Sequence, residues 1–148
     1  MNQFLKTFLA IGFFLGLSGN SFGCSCDGKY REYKHAVKES NLIFSGKVVR
    51  IASEFVNTKY GQQVVETYKI VPERIWLGAS ADTISFPYDK FDCFSQYLEV
   101  GKKYILFTKM NQQITFCQRV IEVEKEIEKA NQDIIVLDRR FRKSKRPS

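Results

Sequence analysis

The chain has 148 residues, with 23 basic and 16 acidic side chains, four cysteines and a single histidine. The lone His35 has no serine or cysteine motif around it, no glycine-rich loop could cradle a phosphate, and no CxxC pair is present, which argues against hydrolase, nucleotide-binding and thioredoxin-like redox functions. Six of the bases (Arg139, Arg140, Arg142, Lys143, Lys145, Arg146) fall in the last ten residues, so the net charge of +7 describes a tail more than a basic face.

Met1 to Lys6 brings one positive charge and no acid, and Phe8 to Leu17 is apolar and uncharged. That run is short of the roughly 20 residues a spanning helix needs. Ser21 and Gly23 then place small residues where a signal peptidase reads, so residues 1–23 are expected to be a secretory signal peptide. A cut after Gly23 leaves 125 residues that begin at Cys24 and, without Lys6, carry 22 bases against 16 acids, a net of +6. Such a chain buries about two-thirds of its unfolded surface in one core. The expected organisation is one domain over 24–137 and a basic, disordered tail over 138–148. The product would be secreted, extracellular or periplasmic. Because a small residue before a cysteine also ends a lipobox, lipid anchoring through Cys24 is the alternative, although Phe22 is bulky for that motif.

Cys24, Cys26, Cys93 and Cys117 are an even set in a chain that reads as exported, where oxidised pairs are the rule. Four cysteines allow three pairings, of which Cys24 with Cys26 would close a small, strained ring. Either remaining pairing ties the new N-terminus to two distant points. A four-cysteine zinc site usually shows two close pairs; only one is present, so no metal or other cofactor of its own is expected.

In chain order, Tyr33, Ala36 and Val37 have helical spacing within Tyr30 to Ser40. A strand is predicted from about Leu42 to Phe55, with Gly46 marking a bulge or the bend of a small barrel. A turn-rich stretch, Asn57 to Gly61, leads to a second strand from about Gln63 to Trp76, which Pro72 should bend or detach from its ladder. Thr83 to Phe86 is a short third strand. Pro87 to Gly101 is irregular, holding Cys93 among Phe91, Phe94 and Tyr97. Lys103 to Met110 is the fourth strand, Asn111-Gln112 a hairpin turn, and Gln113 to Arg119 the fifth strand, with Cys117 inside it. Val120, Val123, Ile127, Ala130, Ile134 and Leu137 share one face of a final helix, with acids at its start and bases after its end. The expected fold is therefore all-β with flanking helices: a five-stranded OB-like barrel, one short N-terminal helix and one amphipathic C-terminal helix.

The start Cys24-Ser25-Cys26, the helix with His35-Ala36, the strand Asn41 to Val48, the segment Glu73-Arg74-Ile75-Trp76-Leu77-Gly78 and the placing of Cys93 and Cys117 resemble the N-terminal domain of the tissue inhibitors of metalloproteinases and the related netrin-like modules. The resemblance spans nearly all of the mature chain, and the cysteine frame is its most specific part. It implies an OB-type barrel with Cys24–Cys93 and Cys26–Cys117 bridges. The family bridge from the segment after the first helix to the C-terminal region has no counterpart, which leaves Val37 and the last helix to be held by packing alone.

The resemblance also implies a mechanism. A catalytic zinc keeps an open position for water, and the free α-amine and backbone carbonyl of Cys24 would chelate it there and displace that water. An unperturbed α-amine, with a pKa of about 7.7 to 8.0, has a useful neutral fraction near pH 7. Two disulfides would hold the terminus rigid before binding and lower the entropy cost of association. Ser25 would face the protease's first primed-side pocket, with Asp92, Cys93 and Phe94 beside it as a second contact, and no residue would be catalytic. The partner implied is a zinc metalloprotease, met by a monomer; the alternative is a non-inhibitory netrin-like or OB binding module. Nucleic acid is not expected, because Phe44, Phe55, Phe86, Phe107 and Phe116 sit mainly in apolar runs and read as core rather than stacking platforms. The six bases at the C-terminus would give attachment to an anionic surface such as lipid head groups or acidic polysaccharide.

Overall fold

A computed structural model describes residues 25–26, 28–58 and 61–142. The expected leader over 1–23, Cys24, Asp27, residues 59–60 and residues 143–148 of the expected basic tail, with Lys143, Lys145 and Arg146, lie outside the described residues.

Two long strands, β1 (Leu42–Thr58) and β2 (Gly61–Leu77), form an antiparallel hairpin along their whole length. The β-branched and aromatic residues of β1 suit a pleated surface packed on both sides. β3 (Ile84–Tyr88) pairs with β2 from Glu66 to Ile70, β4 (Lys103–Thr108) pairs with β1 from Leu42 to Lys47, and β5 (Val120–Glu122) pairs with β4. All pairs are antiparallel, giving one five-stranded sheet in the order β3-β2-β1-β4-β5.

Alternation assigns the two faces. Leu42, Phe44, Val48, Tyr104 and Leu106 join Tyr68, Ile70, Phe86, Leu98 and Ile114 in one buried cluster. Ile43, Ile105 and Phe107 point the other way and meet Ala36, Val37, Trp76, Ile121, Ala130 and Leu137 in a second. Neighbouring strand residues face opposite sides, so β4, apolar from Tyr104 to Phe107, is buried on both. The second cluster is roofed by α1 (Tyr33–Glu39), which follows a short 3-10 helix (Gly28–Arg31), and by α2 (Ile127–Arg142).

The ladder is irregular where a glycine was expected to mark a bulge or a bend. The register shifts between Ser45 and Gly46, and Gly46 lies opposite Pro72. A Cβ on Gly46 would sit 2.7 Å from the Val71 carbonyl oxygen and 2.9 Å from Ile70 Cγ2. Only glycine lets the two backbones approach this closely. Pro72 falls at the same irregularity, so β2 runs on through it.

Two expected elements differ. Gln113 to Arg119 is not a strand: it is a turn-rich segment with one isolated bridge, Ser95 to Thr115, and the fifth strand is Val120–Glu122. Its backbone groups have other partners, since Gln118 N–H donates to the Thr115 carbonyl at 3.0 Å and the Gln118 side-chain oxygen accepts from Thr115 N–H at 3.3 Å. The last helix starts at Ile127, not at Val120, because Val120 to Glu122 complete the ladder on β4. Ile127 is 59% exposed. The helix also continues beyond residue 137, so Asp138, Arg139, Arg140 and Arg142 are helical rather than part of a disordered tail.

The hydrogen-bonded order has open ends at β3 and β5. Between them, the loop after β3 meets the segment before β5, where Gln96 N–H donates to the Ile114 carbonyl at 2.9 Å and Phe116 N–H to the Phe94 carbonyl at 3.0 Å.

Candidate functional site

The residues around Cys26 are fixed from three directions. Cys26 is disulfide-bonded to Cys117, 91 residues away, with the Cα atoms 5.4 Å apart. Arg31, at the end of the 3-10 helix, donates from Nε and Nη2 to the Phe116 carbonyl at 3.2 and 3.0 Å. The carbonyl of Arg31 accepts from Arg119 Nη1 at 2.6 Å. A planar guanidinium can make such a two-pronged contact and a lysine cannot.

Arg119 is held from behind. Its Nε and Nη2 donate to the two carboxylate oxygens of Asp133 on α2, at 2.8 and 2.9 Å. Asp133 is 5% exposed, and the guanidinium lies over the rings of Tyr33 and Phe107. Buried charges need a partner of this kind. Farther along α2, Asp138 accepts from Trp76 Nε1 at 2.8 Å and pairs with Arg74 at 2.6 Å. Packing alone therefore does not hold the last helix, as the missing family bridge had suggested; two acids bolt it to the sheet.

The loop from Asp89 to Gly101 forms the other side of this corner. Asp89 Oδ1 accepts from Phe91 N–H at 2.9 Å and Asp92 Oδ1 from Phe94 N–H at 3.0 Å, two successive side-chain turns of the kind aspartate favours. They turn Phe91 into solvent, 87% exposed, and leave Phe94 partly exposed with its ring stacked on Phe116, centroids 5.8 Å apart and planes within 7°. Two buried hydroxyls hold the far end of the loop: Tyr68 accepts from Leu98 N–H and Tyr104 from Glu99 N–H, both at 3.0 Å. Burial, the largest cause, raises the pKa of both.

The structure thus gathers part of the expected site. Ser25 is exposed and adjoins Cys26, whose bridge leads to Cys117 and the Phe116–Phe94 stack. The Asp92 carboxylate is engaged in shaping its own turn. Cys93 is disulfide-bonded and exposed; Cys24 lies outside the described residues. Arg139, Arg140 and Arg142 belong to the exposed side of α2. Among the phenylalanines expected in the core, Phe44, Phe86 and Phe107 are buried and Phe116 is half-buried, but Phe55 is 72% exposed.

Sequence reasoning did not single out Arg31, Phe116, Arg119 or Asp133 for the site. One signal was available: an acid at 133 sits one turn from Ala130 and Leu137 in the apolar stripe, and a buried acid calls for a base.

On the other side of the disulfide, beneath α1, is a cavity of about 300 Å³ lined by His35, Ala36, Phe107, Lys109, Cys117 and Arg119 among others. Among the described residues no group of three or more His, Cys, Asp or Glu side chains could hold a metal ion. No protein-family model matches the chain, and no curated protein matches its sequence.

Proposed function

We propose that the chain is a secreted inhibitor of zinc metalloendopeptidases, built like the N-terminal domain of the tissue inhibitors of metalloproteinases on an OB-type barrel. The sheet order supports the barrel, because β3-β2-β1-β4-β5 would close if β3 met β5, and the Ser95–Thr115 bridge links the loop after β3 to the segment before β5. Such barrels are partly open. Cys24 is the partner we assign to Cys93. That bond would occupy the sulfur that lipid anchoring requires and leave the α-amine free.

The observation that carries the reading is the triple attachment of the segment just after Cys24: the Cys26–Cys117 bridge, the Arg31 clamp on Phe116 and the Arg119 contact to Arg31. A zinc-chelating terminus benefits from such preorganisation, since little freedom is left to lose on binding. The amine and carbonyl of Cys24 would take the open position on the protease zinc. Ser25 would enter the adjoining pocket, and Phe94, braced by Phe116, would lie along the cleft. Asp92 keeps the role of shaping the Phe94 turn.

The test is a panel of purified zinc metalloproteases assayed with the secreted protein, together with mass spectrometry of its first residue. Inhibition by a chain starting at unmodified Cys24 supports the reading. An acylated or lipidated Cys24, or no inhibition across the panel, contradicts it. The cavity under α1 favours a second reading as a binding module, since about 300 Å³ lies at the lower end of the range for small-molecule sites. Ligand-induced shifts at His35 and Lys109 without inhibition would select it.

A further inference from the structure

The inward stripe of α2 is Ala130, Asp133 and Leu137, and its outward face is of a different kind. Ile135 and Val136 are 51% and 43% exposed, and Arg139, Arg140 and Arg142 are exposed beside them. At about 100° per residue, Ile135, Arg139 and Arg142 fall on one strip, Val136 lies about a quarter-turn round the helix, and Arg140 lies farther round, at the border with the inward stripe. Val136 and the three arginines line an open groove. None of the three arginines is ion-paired with another described residue. The nearby acid, Asp138, is turned inward to Trp76 and Arg74. The face is therefore basic and apolar at once, and Lys143, Lys145 and Arg146 follow it in the sequence.

We propose that this face of α2 docks on an anionic lipid bilayer, with Ile135 and Val136 entering the interfacial layer and Arg139, Arg140 and Arg142 meeting head-group phosphates. A helix that lies in the interface needs an apolar edge bordered by bases. Acidic polysaccharide would satisfy the charges but offers no apolar layer, so exposed Ile135 and Val136 favour lipid. Ile135, Arg139 and Arg142 lie on the side of α2 away from Asp133, so their contact with a bilayer leaves the Asp133–Arg119 pair undisturbed; Arg140 lies at the border of the face, two turns beyond Asp133 and near Tyr33.

Substitution tests this better than truncation, since deleting residues from Asp138 onward would remove the Trp76 partner and the last turn of α2. Protein purified after secretion is centrifuged with vesicles of phosphatidylcholine alone and of equal parts phosphatidylcholine and phosphatidylglycerol. Binding is expected only to the mixed vesicles. The triple variant Arg139→Gln, Arg140→Gln, Arg142→Gln should bind about a hundredfold more weakly, near fivefold per arginine. The variant Ile135→Ser, Val136→Ser keeps every charge and should bind about tenfold more weakly. Emission from Trp76, the single tryptophan, verifies that each variant is folded. Failure of the native protein to bind mixed vesicles overturns the proposal. So does undiminished binding by the Ile135, Val136 variant; retention on heparin unchanged in that variant, without vesicle binding, would assign the arginines to polysaccharide.

Discussion

Arg119 holds Asp133 through two parallel hydrogen bonds, of 2.8 and 2.9 Å, and its third nitrogen reaches the Arg31 carbonyl at 2.6 Å. One guanidinium thus joins the last helix, the edge of the sheet and the segment that follows the cysteine pair. Removing one member of a buried pair strands the other. Asp133→Ala should cost about 3–5 kcal/mol in urea unfolding, whereas the joint change Arg119→Met, Asp133→Leu should cost markedly less. Equal losses in the two variants would show that the pair is not coupled.

The Arg31 clamp makes a separate prediction, because Arg31 is exposed and contributes little to the core. Arg31→Ala should lower stability by about 1 kcal/mol and weaken protease inhibition by about tenfold or more, as the terminus loses its preset position. Arg31→Lys should not rescue it, since an ammonium cannot make both contacts to the Phe116 carbonyl. Inhibition constants and denaturation midpoints on the same samples separate the two effects.

At Gly46 the expected cost is steric. A methyl group would meet the Val71 carbonyl oxygen at 2.7 Å, a backbone atom that cannot turn aside. Gly46→Ala should destabilise by about 1–3 kcal/mol, while Gly28→Ala, with nothing within 4 Å of its new Cβ, should change stability far less. Thermal unfolding of the two variants measures the contrast.

Alkaline pH should loosen the loop that carries Phe91 and Phe94. Desolvation raises the Tyr68 pKa above its ordinary 10.0 and outweighs the lowering effect of the Leu98 N–H bond. The unfolded chain therefore loses this proton first. Between about pH 10 and the folded-state value it binds fewer protons than the folded chain, so stability present below pH 10 falls as pH rises. Tyr33 and Tyr104 are shifted in the same direction, also by burial first. Tyr68→Phe should flatten the decline and cost about 1–3 kcal/mol at neutral pH, because Leu98 N–H loses its acceptor. Urea midpoints across this range, for both proteins, provide the check.

Strands β1 to β4 and the existence of both helices were legible because each is written in a local pattern: β-branched runs, two-residue alternation, three- and four-residue steps. The irregularity at Gly46 was legible for the same reason, since its cause is the residue itself. Gln113 to Arg119 was misread as a strand because its apolar and polar residues alternate, while its conformation is set by distant groups: Cys26 bonded to Cys117 and Arg31 bonded to the Phe116 carbonyl. The helix start was misplaced because Val120 and Val123 fit a helical step, yet Val120 to Glu122 are recruited by β4, a partner no local pattern reveals. Of the site, the Cys26–Cys117 pairing followed from the family resemblance. The polar connection through Arg31, Arg119 and Asp133 joins residues far apart in the chain, and only the fold brings them together.

The central claim is that a preset N-terminus, opening at the Cys24 amine, blocks a protease zinc. The most direct measurement compares the inhibition constant of the secreted protein with that of the same protein carrying one extra alanine before Cys24, against a zinc metalloprotease that the native form inhibits. The account predicts that the extension abolishes inhibition and leaves the urea midpoint unchanged, because only the chelating amine is lost. Inhibition of equal strength by the extended chain would contradict it.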